Sequence, residues 1–122
     1  MFIRSAEQFF EAVFSKEGPL QKLPRFEIRT GQKEMALFIH NAYQSQEIAC
    51  IEAGTGTGKS LAYLLPAIYW AIQHKKRTVI STHTIALQEQ LIGKDIPFLL
   101  KALQVDLKVS LAKGMNNYLC LK

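Results

Sequence analysis

The chain has 122 residues, of which 48% are hydrophobic and 20% charged, enough apolar content to close one buried core and too much for a disordered tail. A formal charge of +5 permits polyanionic partners without specifying one, and two cysteines, Cys50 and Cys120, are too few for a disulfide framework. No basic head with an apolar run follows Met1 and no stretch of about 18 apolar residues occurs, so neither a secretory leader nor a membrane span is expected and the cytoplasm is the default location.

In chain order, Ser5 followed three residues later by Gln8 makes a capping-box start for a helix whose Phe9, Phe10, Val13 and Phe14 face a core. Gly18-Pro19 and Leu23-Pro24 then punctuate a linker, which sets a boundary near Arg25 between residues 1–24 and a unit of residues 25–122. Thr30 is placed to cap a second helix, with Met35, Phe38, Ile39 and Ala42 at the spacing of a buried face. Ile48 to Glu52 reads as a short buried strand in which Cys50 is a small hydrophobe. Leu61, Leu64, Leu65, Ile68 and Ile72 mark a third helix, and Pro66 inside it removes one backbone bond and favours a kink. Its far end, His74-Lys75-Lys76-Arg77, reads as a solvated terminus whose charges suit the helix dipole.

Thr78 to Ser81 is expected as a second strand, Ile85 to Ile92 as a helix, Pro97 to Leu103 as a further helical stretch and Asp106 to Leu111 as a third strand. Such alternation predicts an α/β fold with a parallel sheet and right-handed helical crossovers, here with few strands.

Between the first expected strand and the third helix lies Ala53-Gly54-Thr55-Gly56-Thr57-Gly58-Lys59-Ser60. Small residues there let successive backbone N–H groups point into one concavity, and a helix starting near Lys59 adds its positive dipole end, a combination suited to an anionic triphosphate. Lys59 is placed for the β and γ phosphates of ATP, and Ser60 for Mg²⁺, which takes few protein oxygens. Ala53 stands where the usual Walker A pattern opens with glycine.

Four stretches together resemble the DinG family of superfamily 2 helicases, relatives of the XPD group: Arg29 to Met35, Ile51 to Ser60, Ser81 to Leu91, and Leu111 to Cys120. The resemblance implies part of a RecA-like P-loop NTPase domain, an incomplete first motor domain, from a 5′ to 3′ ATP-dependent DNA helicase with a role in DNA repair. It also implies that Gln32 reads the adenine, a carboxamide offering donor and acceptor side by side to N6 and N7, with Arg29 a weaker candidate. Ser81 to Leu91 resembles helicase motif Ia, which implies single-stranded DNA backbone contacts from Thr82, Thr84 and Gln88. Thr84 also reads as a simple helix cap. His83 has no visible partner and is left without a role. Lys113-Gly114-Met115-Asn116-Asn117-Tyr118-Leu119-Cys120 resembles the family stretch whose cysteine is the first of four ligands to a [4Fe-4S] cluster, with Met115 where that stretch carries arginine. One thiolate cannot hold such a cluster, so the resemblance implies one only in a completed protein.

A Walker B carboxylate has no candidate, since no two acidic residues are adjacent, Asp95 follows a helix and Asp106 precedes its apolar run. The chain therefore reads as the amino-terminal portion of a helicase, truncated or split, that binds nucleotide but does not hydrolyse it alone and is completed by a separately encoded C-terminal part. The competing expectation is a non-catalytic remnant or interaction module that at most binds nucleotide. An unrelated P-loop ATPase or kinase would not explain the Gln32 and Cys120 stretches.

Overall fold

The computed structural model describes residues 5–22 and 26–120, and the side chain of Thr30 is outside that description. The boundary expected at Arg25, and Leu23-Pro24 with it, lies outside the described residues.

Helix α1 spans Ala6–Val13, and Ser5 caps it by accepting from the Gln8 backbone N–H at 3.2 Å. Phe9, Phe10, Val13 and Phe14 are all buried, as their spacing requires. The chain turns tightly after α1, where a Cβ on Gly18 would lie 2.5 Å from the Ala12 carbonyl oxygen and 2.6 Å from that of Val13. Only glycine fits that close approach. A short 3-10 turn, Pro19–Lys22, then delivers the fully buried Leu20 into the core.

Helix α2 spans Thr30–Ser45, so Thr30 opens the helix while Arg29 occupies the N-cap position without a side-chain cap. Its buried line is Gln32, Ala36 and His40, one residue every fourth position along the face against α3. The expected face is turned away: Met35, Ile39 and Ala42 are half-buried and Phe38 is exposed. Apolar periodicity marks the most hydrophobic flank of a helix, and here the neighbouring helices are packed on the other one.

Helix α3 spans Lys59–His74 and packs most extensively on α2. Leu64, Leu65, Pro66 and Ile68 are buried in it, with Leu61 and Ile72 packed at the margin. It remains one helix through Pro66, and Lys75 ends it in the left-handed conformation. Helices α4, Ile85–Gln90, and α5, Ile96–Leu103, are not separate elements, because a π turn over Leu91–Asp95 joins them. The Ile96 N–H reaches back to the Leu91 carbonyl, an i to i−5 bond. That register shift carries the helix past Pro97, which has no N–H to give.

The core joins Phe9, Phe10, Val13 and Leu20 to Leu64, Leu65, Ile68, Tyr69, Leu99 and Leu103. Phe9 packs edge-on to Phe10 at 5.2 Å, and the Tyr69 ring lies 4.9 Å from Phe9. Glu11 pairs with Lys33 at 2.5 Å between α1 and α2, a solvent-exposed contact that adds little.

The expected α/β class with a parallel sheet is not what forms. Among the described residues there are helices and turns and no strand. The three expected strands, Ile48 to Glu52, Thr78 to Ser81 and Asp106 to Leu111, have no ladder partners, and Ile48, Val79, Ile80, Val109 and Leu111 keep their side chains exposed. A strand is held by a neighbour's backbone as much as by its own residues. The helices meanwhile bury their apolar sides on one another, and of the third segment Leu107 packs at the margin of that core while Val109 and Leu111 stand outside it. Cys50, expected as a buried small hydrophobe in the first strand, is exposed for the same reason.

Candidate nucleotide site at the start of the third helix

The loop from Ala53 to Gly58 leads straight into α3, and Gly56 and Gly58 have φ of 77° and 73°. Both conformations are strained for residues with a Cβ. Thr57 Oγ1 donates to the Gly54 carbonyl at 2.9 Å and closes the loop on itself. Lys59 Nζ lies back over the loop, donating to the Ala53 carbonyl at 2.5 Å and the Gly54 carbonyl at 3.1 Å. Gly54, Thr55 and Gly56 are exposed, and Ser60 is half-buried in the first turn of α3.

Two residues from the start of α2 reach this loop. The Arg29 guanidinium lies 3.4 Å from where a Cβ on Gly56 would stand. Gln32, 3% exposed, donates from Nε2 to the Gly58 carbonyl at 3.3 Å, while its Oε1 is buried with no partner. The Arg-x-x-Gln element and the glycine-rich loop are thus brought together. The Gln32 to Gly58 bond had no signal in the sequence, because the two residues are 26 positions apart. The donor set fits a nucleotide with Mg²⁺: a cation, a helix N-terminus, a hydroxyl at Ser60 and an orphaned buried acceptor at Gln32.

A second group gathers around α4. Thr84 caps the helix by accepting from the Leu87 N–H at 3.2 Å, so the expected cap forms, and Thr82 Oγ1 donates to the Thr84 carbonyl at 3.2 Å. Gln88 donates to the Ala112 carbonyl at 3.5 Å, and Glu89 lies 3.8 Å from the Lys113 ammonium. Those contacts hold the stretch before Cys120 against α4. Within it, the Lys113 N–H donates to the Tyr118 hydroxyl at 2.7 Å, and a 3-10 turn covers Met115–Asn117. Cys50 and Cys120 are both exposed and unbridged. Among the described residues no group of three or more His, Cys, Asp or Glu could hold a metal ion. Two cysteines do not make the four-thiolate set of a [4Fe-4S] cluster.

The DEAD/DEAH box helicase profile matches residues 32–117, from Gln32 through the loop and α4 to Asn117. The chain belongs to the DEAD/DEAH box helicase family. Within it, the resemblance to the DinG family holds. The chain is 50% identical over 97 residues to the ATP-dependent helicase DinG of Mycobacterium tuberculosis strain H37Ra, which is 76% of this chain and 15% of that protein. It is 44% identical over 110 residues to the ATP-dependent DNA helicase YoaA of Escherichia coli K12, 89% of this chain and 17% of that protein. To the 3′-5′ exonuclease DinG of Bacillus subtilis it is 37% identical over 99 residues, 81% of this chain and 11% of that protein. The chain therefore spans well under a fifth of the length of these curated relatives. No solved structure matches it. No helix among the described residues is long and apolar enough to cross a membrane.

Proposed function

We propose that this chain supplies the nucleotide-binding portion of an ATP-dependent DNA helicase. The observation that carries the reading is the loop with left-handed Gly56 and Gly58 running into α3 at Lys59, inside the segment matched by the helicase family. In this reading the backbone from Ala53 to Gly58 cradles the phosphates, with Gly54, Thr55, Gly56 and Thr57 forming the concavity. Lys59 leaves its carbonyl partners to meet the β and γ phosphates, a charge-assisted exchange. Ser60 supplies a hydroxyl to Mg²⁺, which when bound neutralises phosphate charge. Arg29 and Gln32 face the base side.

Thr82, Thr84 and Gln88 contact the backbone of single-stranded DNA, and Cys120 becomes a cluster ligand only in a protein that supplies the other thiolates. Hydrolysis and unwinding draw on a C-terminal helicase part that completes the motor, in the cytoplasm.

Titration with ATP and Mg²⁺ tests this reading. Lys59→Ala is expected to weaken binding by roughly tenfold or more, the size of a lost charged hydrogen bond. Equal curves for two folded proteins would remove the site.

A further inference from the structure

The end of α3 remote from the phosphate loop carries side chains that nucleotide binding does not use. Trp70 on α3 stacks on Tyr43 of α2, with ring centroids 5.4 Å apart and planes 17° from parallel, and the His74 ring lies 3.8 Å from Trp70. Tyr43 and Trp70 are half-buried and His74 is exposed, so the stack is anchored between two helices and ends on an open ring. An aromatic cluster closed inside a core is packing, whereas a flat stack that ends in solvent leaves a π face uncovered. Lys75, Lys76 and Arg77 follow directly, all exposed, and among the described residues none of the three forms an ion pair. Thr78 Oγ1 donates to the Ala67 carbonyl at 3.3 Å, which turns the chain back along α3. Ala67 stands two helical turns before His74 and so on the same side of the helix, with the three cations in the turn between His74 and Thr78. The last carbonyls of α3 oppose an anion with about half a negative charge, which three cations exceed. Glu47 lines a groove with Tyr43, at the other end of the stack, and accepts a hydrogen bond from the Ser45 hydroxyl at 3.1 Å.

We propose that this corner is a binding site for single-stranded nucleic acid, a base stacking on the open face of His74 while the flanking phosphates meet Lys75, Lys76 and Arg77. An uncovered ring beside unpaired cations fits that ligand on both counts. An acidic peptide satisfies the cations and leaves the ring bare, and a duplex keeps its base faces stacked on one another. Stacking uses the ring face alone, so the site accepts any base. It lies about 22 Å from the phosphate loop, the length of α3 at its rise per residue. It shares no residue with the strand contacts proposed for Thr82, Thr84 and Gln88, and it stands independently of the nucleotide site.

The test measures the anisotropy of a labelled oligothymidylate, an abasic strand of the same length and a polyglutamate peptide on the full chain, at neutral pH and low salt. Emission of Trp70, the one tryptophan of the sequence, reports where the ligand sits. Oligothymidylate is expected to quench Trp70 and to bind roughly tenfold more tightly than the abasic strand, the size of one stacked base. His74→Ala should remove most of that preference while the abasic strand binds as before. The double variant Lys76→Gln with Arg77→Gln should weaken both strands and reduce the salt slope by about 1.4, two phosphate contacts at roughly 0.7 each. All three side chains are exposed, so these variants keep the fold, which circular dichroism checks. Equal affinity for the two strands overturns the stacking role and the proposal with it. Tighter binding of polyglutamate than of oligothymidylate makes the corner a protein-docking surface instead. Quenching that disappears in Gln88→Ala but survives the double variant places the strand on α4 and likewise overturns the site.

Discussion

Leu64 and Val79 are both apolar, yet Leu64 is 1% exposed and Val79 is 82% exposed. The difference lies in what surrounds them. Leu64 sits on α3, where α1, α2 and the α4–α5 run offer apolar faces, so a helix that makes its own backbone bonds needs only side-chain neighbours. Among the described residues the segment of Val79 has no strand partner, and its side chain is left exposed. Apolar content alone does not decide which residues stabilise the chain; the elements that can satisfy their own hydrogen bonds do.

Two substitutions break this comparison if it is wrong. Phe10→Ala removes a fully buried ring from the centre of the aromatic cluster and is expected to cost about 3–5 kcal/mol in denaturant unfolding. Val79→Ser, in the irregular segment, should change stability by no more than about 0.5 kcal/mol. Comparable losses for the two would mean that the segment around residue 79 is packed after all.

The next effect is smaller and joins the helical part to the loop. Gly58→Ala forces a Cβ into the left-handed region and against the Gln32 carboxamide, with an expected cost of about 1–2 kcal/mol from the backbone before the steric contact is added. Part of that cost belongs to Gln32, so the double variant Gly58→Ala with Gln32→Ala should lose less than the sum of the single ones. Simple additivity in a double-mutant cycle would show that the two residues do not press on each other in solution.

What was legible in the sequence follows the same division. The Ser5 and Thr84 caps, the phenylalanines of α1 and the leucines of α3 are local patterns read over three or four residues, and each has its expected place. The glycine-rich loop is local too, and its context at the start of a helix is recovered. The parallel sheet was not recoverable in this way, because alternation of extended and helical preferences says nothing about whether a strand finds a partner. The buried side of α2 was missed for a related reason: Gln32 and His40 are polar, and a hydrophobic period cannot choose a face that carries them. The π turn at Leu91–Asp95 was hidden by Pro97, which reads as a break when the helix can instead shift its bonding by one residue.

His40 supplies the smallest effect and the sharpest probe of how dry the helical part is. Its ring lies 5.6 Å from Phe10 on α1 and 5.3 Å from Tyr69 on α3, it is almost fully buried, and Nδ1 has no partner. Burial holds its pKa below the ordinary 6.5, and the charge of His74 at the end of α3 pushes in the same direction. A depressed folded pKa means that the unfolded chain takes up the proton first as pH falls. The contribution is therefore intact above about 6.5 and is lost as pH drops from there through the folded value. Unfolding midpoints in urea at pH 7.5 and 5.5 should differ in the native sequence, with the acid sample less stable. In His40→Phe that difference should shrink, because the aromatic cluster stays filled and no buried nitrogen remains to be charged. His74→Gln, at an exposed position, should remove only the minor part. If His40→Phe loses as much stability between the two pH values as the native chain does, the acid sensitivity arises elsewhere and the aromatic cluster admits water.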